Sequence, residues 1–232
     1  MTAVLDALAP VLAQPRRATL AEPEPAANNR VVIPGLSWQA YQLIGEALRD
    51  RSAIRITFDR GRMEIMTISF EHELIRKWFG KLVEVLAEEF EWPTVSAGSM
   101  TFQQAAIERG FEPDDCFWVA HEPQMRGRSD YEPTRDPPPD LTLEVEITRS
   151  ALDRMTIFAA FRVPEVWRYD GQSIHVHRLQ QDATYIEVPA SSTFPTIRVA
   201  EIAAFLRPDP SRNNLEALRD FRAWVRGQIP KK

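Results

Sequence analysis

The sequence predicts an α/β domain, a mixed β-sheet flanked by helices with a β-hairpin extension. Three observations carry that expectation. Apolar residues alternate over Ile54–Phe58 and again over Leu141–Ile147, the period of half-buried strands. Between them, Leu74, Trp78, Leu82, Val85 and Leu86 recur at helical spacing with charges interposed. The two periods then interleave along the chain, with some strands joined by tight turns, which argues for a mixed sheet with helices on its faces.

The 232 residues suffice for one sizeable core, and the 44% hydrophobic and 26% charged composition is that of a soluble globular chain. The formal charge of −5 excludes a general electrostatic affinity for nucleic acid, so any such binding needs a local basic patch. Cys116 is the sole cysteine, which excludes an intrachain disulfide, and it reads as a small buried strand residue. The N-terminus lacks a positive region and Asp6 interrupts its apolar stretch, so no secretory signal is expected. No apolar run approaches membrane-spanning length, and the expected compartment is the cytoplasm, with no membrane partner.

Residues 1–30, rich in Ala and Pro, read as a flexible leader. Ser37 is placed to cap a helix bearing Tyr41, Ile44 and Leu48. Asp59-Arg60-Gly61 joins the Ile54–Phe58 strand to a returning strand over Met63–Met66. After the 71–90 helix come extended pieces near Met100–Gln103 and Asp115–Val119, then a proline-rich loop from about His121 to Pro139. Strand Leu141–Ile147 leads to a helix over Ser150–Phe161, with Ser150-Ala151-Leu152-Asp153 as a capping box. Val166–Tyr169 and Ile174–Leu179 form a hairpin across Asp170-Gly171, and helices near Ala200–Leu206 and Asn214–Val225 follow. The expected division is a domain over 31–207 and a C-terminal amphipathic helix within 208–232. That helix bears Leu215, Leu218, Phe221 and Trp224, a stripe that would pack on its own domain or on a second copy, leaving a homodimer open.

Acids fall where acids are awkward at two places: Glu112-Pro113-Asp114-Asp115 before an apolar strand, and Glu144-Val145-Glu146 within one. Paired carboxylates repel unless a cation lies between them, and their hard oxygens suit Mg²⁺ or Mn²⁺ better than zinc. The bland readings are a turn residue for Asp114 and a solvated sheet face for Glu144. Glu146 is either a third metal ligand or an ion-pair partner for Arg154. His175 and His177 alternate on one strand face, with no third ligand nearby, and read as exposed polar residues. Asp140, after three prolines, reads as a turn residue.

An Asp after a proline, then Leu-Glu-x-Glu in a strand, then a helix bearing a basic residue, resembles the PD-(D/E)XK nuclease superfamily. From about Ile54 to Asp170 the chain more closely resembles the Uma-two group of restriction endonucleases. The matching segments are Gly61–Met66, Glu71-His72, Glu112-Pro113-Asp114, Pro138 through Val145, and Val163–Trp167. The resemblance implies a restriction-endonuclease-like fold and a Mg²⁺-dependent (or Mn²⁺-dependent) endonuclease acting on DNA. It assigns metal binding to Asp114 and Glu144 and the place of the motif's basic residue to Arg154; the candidate catalytic set is these three with Glu146, which is the candidate third metal ligand. Glu64 and His72 match family positions, yet an exposed hairpin acid and a helix-start histidine account for them as well. The motif lysine would fall at Glu146; the following helix offers Arg154 instead, which stays protonated and cannot serve as a general base. That departure supports an alternative, a catalytically impaired binding or assembly module on the same fold. A glycosidase-like carboxylate pair ranks last, since no aromatic sugar platform surrounds the acids. Arg126, Arg128 and Arg135 lie on the long loop and would contact DNA if it overhangs the site. As restriction-type nucleases often act as dimers, the resemblance also favours a homodimer.

Overall fold

The alternation at Ile54–Phe58 becomes β2 (Ile54–Asp59), which turns through Arg60 and Gly61 into β3 (Arg62–Thr67) in a computed structural model describing residues 29–51, 53–147, 150–207 and 211–229. Gly61 sits at φ +88°, where a Cβ would be strained, and the hairpin closes with Asp59 opposite Arg62. β1 (Arg30–Pro34) joins the free side of β3, while β6 (Arg109–Phe111) and β5 (Phe102–Gln104) extend β2 on its other side. The hairpin is thus the centre of a five-stranded antiparallel sheet, order β1-β3-β2-β6-β5. Three-residue strands such as β5 and β6 are too short to show a period, so sequence pattern alone does not reveal this second sheet.

Helix α1 (Trp38–Leu48) is capped by Ser37, whose hydroxyl accepts from the Ala40 N–H at 3.2 Å. Its Trp38 and Tyr41 cluster with Ile56, Phe58 and Met63. Gly110 on β6 is required here, because a Cβ would lie 2.1 Å from the Tyr41 hydroxyl and 2.7 Å from its ring. That ring stacks on Phe58 at 4.8 Å between centroids and has little room to yield. Gly110→Ala should therefore cost about 1–3 kcal/mol by overpacking, read as a lower urea midpoint at unchanged m-value. An unchanged midpoint would show that Tyr41 moves aside freely.

The second sheet contains β4 (Val95–Ser96), β7 (Asp115–Trp118), β8 (Leu141–Val145), β9 (Glu165–Tyr169), β10 (Ile174–Leu179) and β11 (Tyr185–Val188), in the order β11-β10-β9-β8-β7-β4. β8 and β9 run parallel and the remaining described pairs antiparallel, so the sheet is mixed. β8 is buried along its whole length. Leu141, Leu143 and Val145 face the larger core beneath α2 (Phe70–Glu89), α5 (Val199–Leu206) and α6 (Asn214–Gln228), while Thr142 and Glu144 face the other way. Helix α4 (Arg154–Ala160) crosses from β8 to β9 on that opposite face, over Cys116, Trp118 and Val166. The resulting architecture is α/β with a mixed sheet and flanking helices.

Several expected boundaries shift. The helix expected from Ser150 starts at Arg154, with Asp153 as its cap accepting from the Met155 N–H at 3.1 Å. Ser150 does not form the capping box because its hydroxyl donates to Glu64 at 2.9 Å and accepts from the Leu152 N–H. Within α2, Leu74 is exposed and His72 is buried in its stead. The long loop contains the short helix α3 (Glu122–Met125) and is pinned by Asp140, which accepts from the Val119 and His121 N–H groups at 2.8 and 3.0 Å. Of the α6 stripe, Phe221 lies in the core with Leu218 and Trp224 packed against it, while Leu215 stays exposed. Residues 1–28 of the expected leader, and the expected boundary at 208, lie outside the described residues.

Candidate active site

Asp115 pairs with Leu143 across the antiparallel β7–β8 ladder, which places Asp114 and Glu144 on neighbouring strand ends. Both are buried and both line one cavity of about 100 Å³. The two acids expected to act together are therefore brought together. The Asp114 Oδ2 atom accepts from the Val145 N–H at 2.7 Å and lies 3.3 Å from His72 Nε2. Its Oδ1 atom has no hydrogen bond among the described residues and belongs to a side chain lining the cavity.

Arg154, at the first turn of α4, grips Glu144 with a two-pronged guanidinium contact, Nε to Oε2 and Nη2 to Oε1, both at 2.8 Å. Its Nη1 donates to the Thr57 hydroxyl at 2.7 Å and its Nη2 to the Glu112 carbonyl at 2.9 Å. Four of the five guanidinium N–H groups are thus committed, and the side chain ties β2, the approach to β7 and β8 to α4. Burial, with Asp114 close by, lifts the Glu144 carboxyl above the ordinary range against the pull of Arg154. Burial also works to raise Asp114, but the His72 bond and charge, the Val145 N–H and Arg154 outweigh it and hold that carboxyl below the ordinary range. The two carboxylates are pushed apart in acidity by their surroundings.

Glu146 lines the same cavity, but its ion-pair partner is not Arg154. It lies one residue beyond β8, accepts from the Ser150 N–H at 3.3 Å and forms an ion pair with Arg168 of β9. Among the described residues no three His, Cys, Asp or Glu side chains are gathered to hold a metal. Glu64 lines no part of the cavity and is not an exposed hairpin acid. Only 2% accessible, it takes Arg30 Nη1, the Ser150 hydroxyl and the Ala151 N–H at 2.7–2.9 Å, holding the entry to α4. His72 is likewise buried behind Asp114, with Nε2 3.0 Å from the Val145 carbonyl oxygen and Nδ1 lacking a partner among the described residues. Burial lowers the affinity of its ring for a proton, and the Asp114 bond and charge more than reverse this, so its pKa is raised.

The loop arginines do not reach the cavity. Arg126 pairs with Glu122 at 2.7 Å, Arg128 with Asp136 at 3.5 Å, and Arg135 with Asp136 and Asp130. The cations lining it are instead Arg30, Arg154 and Arg168. Arg168 lies opposite Glu144 in the parallel β8–β9 register, a placement that no local pattern around residue 168 announces.

A divalent ion can be tested against this donor set. Mg²⁺ keeps several waters and takes one or two carboxylates rather than a full protein cage. The Asp114 oxygen without a hydrogen bond among the described residues, and the lone pairs left on Glu144 beside its arginine, meet that requirement.

The chain thus presents an α/β fold with an acidic pocket at the ends of two interior strands of a mixed sheet, closed by the helix that follows β8. Residues 38–206 match the Uma2 family model, described as "Putative restriction endonuclease", and the chain belongs to that family. A crystal structure of "a putative nuclease belonging to DUF820 from Anabaena variabilis ATCC 29413" is similar at 14% identity and a TM-score of 0.40, covering 73% of this chain and 90% of that one. No curated protein matches the chain. Among the described residues no helix is long and apolar enough to cross a membrane.

Proposed function

We propose that the pocket of Asp114 and Glu144 is the active site of a Mg²⁺- or Mn²⁺-dependent endonuclease that hydrolyses DNA phosphodiester bonds. The observation that carries this reading is the pair of buried carboxylates on adjoining strand ends, one with an uncommitted oxygen, in one cavity. Asp114 and Glu144 would hold the ion. When bound, it supplies an acidified water and offsets charge as the phosphodiester breaks.

Arg154 positions Glu144 and opposes the effect of burial on its carboxyl, and among the described residues its second Nη1 N–H is the donor it has left for a phosphate oxygen. Arg30 and Arg168, paired with Glu64 and Glu146, add positive charge to the lining of an otherwise acidic pocket that the DNA backbone would enter. His72 orients the carboxylate of Asp114 and the Val145 carbonyl from behind.

A second reading has its own support. Arg154 engages both oxygens of Glu144 and no lysine lines the pocket, as in a member that kept the fold and binds without cutting. Purified protein with supercoiled plasmid, single-stranded DNA and RNA, in Mg²⁺, Mn²⁺ or EDTA, separates the two. The nuclease reading expects nicked or linear plasmid with either metal and none in EDTA. Intact substrates throughout, with DNA retained by a folded protein, would leave the binding module.

A further inference from the structure

A groove of about 950 Å³ lies between α1, β2, the start of α2 and the segment around Ser99–Gln103. We propose that this groove seats a DNA strand, its phosphates held by Arg49, Arg51 and Lys77 as it runs toward Asp114. The inference rests on the nuclease reading above and names the path of its substrate.

Charge is the first argument. The catalytic cavity is lined by five acidic and three basic side chains, whereas the groove is lined by three acidic and five basic ones. In a chain of net charge −5 this is the kind of local patch that phosphate binding demands. The acidic cavity suits a metal ion and the basic groove suits a polyanion.

Continuity is the second. Glu112 lines both spaces, its carbonyl held by Arg154 and its carboxyl by the Thr101 hydroxyl at 3.1 Å. Arg76 in the groove wall donates to the Asp114 carbonyl at 2.8 Å, so the groove and the catalytic segment share a framework.

The third is the division of labour among the cations. Arg55 is buried and Arg76 half-buried, and Arg76 is held by Glu73 through two bonds of 2.7 and 2.8 Å. By contrast, Arg49 and Lys77 are 71% and 70% exposed, and Arg51 is exposed with no ion-pair partner among the described residues. Arg49 does pair with Glu46 one turn earlier, but both side chains are exposed and such a pair competes weakly with a phosphate; Glu73 lies 3.9 Å from Lys77. Ser99, Thr101 and Gln103 on the facing wall add neutral donors of the sort that position a DNA backbone.

Fluorescence anisotropy with a labelled DNA oligonucleotide in EDTA, across a salt series, tests the proposal alongside plasmid cleavage in Mn²⁺. The triple variant Arg49→Ala, Arg51→Ala, Lys77→Ala should bind about tenfold more weakly, with a log–log salt slope shallower by about two. The loop triple variant Arg126→Ala, Arg128→Ala, Arg135→Ala should bind like the wild type. Wild-type affinity in the groove variant, or an equal loss in the loop variant, overturns the groove while wild-type cleavage leaves the nuclease reading standing. A wild-type protein that neither binds nor cuts DNA overturns both.

Discussion

Replacing Arg154 with alanine should lower the melting temperature by on the order of 10 °C and reduce plasmid cleavage by roughly a hundredfold. The stability loss follows from what remains behind. Glu144 is 7% exposed, and without the guanidinium both its oxygens lose their donors, as do the Thr57 hydroxyl and the Glu112 carbonyl. Breaking a buried ion pair from one side costs about 3–5 kcal/mol, which corresponds to that temperature shift for a chain of this size. The activity loss is that of removing one preorganised donor next to the reacting phosphate. Arg154→Lys keeps the charge but has no planar fork, so it cannot grip both Glu144 oxygens and reach Thr57 and Glu112 together. Its melting temperature should fall between those of the wild type and the alanine variant, with cleavage between them as well. Lysine activity above wild type would instead make Arg154 a weakened stand-in for a catalytic lysine. Thermal unfolding and plasmid nicking, measured on the same preparations, distinguish these results.

The second large effect belongs to the metal. At a hundredfold excess over its dissociation constant, Mn²⁺ should stabilise the wild type by about 2.7 kcal/mol through mass action. Asp114→Asn combined with Glu144→Gln should abolish that stabilisation and bring cleavage down to the level seen in EDTA. Both substitutions are close to isosteric, and Asn can still accept from the Val145 N–H, so circular dichroism should report a native fold. Glu146→Gln is the informative companion. Its carboxylate is paired with Arg168, so this variant should keep the Mn²⁺ shift. A shift that survives in the double variant, or vanishes in Glu146→Gln, would place the ion elsewhere.

Much of the framework was legible from residue order. The hairpin at Asp59-Arg60-Gly61, the long helix over 71–90 and the buried strand from Leu141 each carry a period that backbone geometry imposes locally. Asp114 and Glu144 stood out because a carboxylate beside or inside an apolar strand has no cheap place to go. Their cross-strand placement follows the β7–β8 register, which the apolar alternation in β8 already constrains.

What escaped a linear reading depends on contacts between distant segments. Ser150 reads as a helix cap until Glu64, 86 residues earlier, takes its hydroxyl. Glu146 reads as a metal ligand or as a partner for Arg154, and its ion-pair partner turns out to be Arg168, which the parallel β8–β9 pairing brings alongside. The arginines of the proline-rich loop read as a DNA patch, yet they are paired with Glu122, Asp130 and Asp136 on the same loop. The cations of the groove come from α1, β2 and α2, elements whose adjacency no local period encodes. Residue order thus settled the longer strands and helices and which acids are costly to bury, because those are properties of a few neighbouring residues. Which charge meets which was settled on folding, since ion pairing is a matter of distance in space and the chain brings together residues far apart along it.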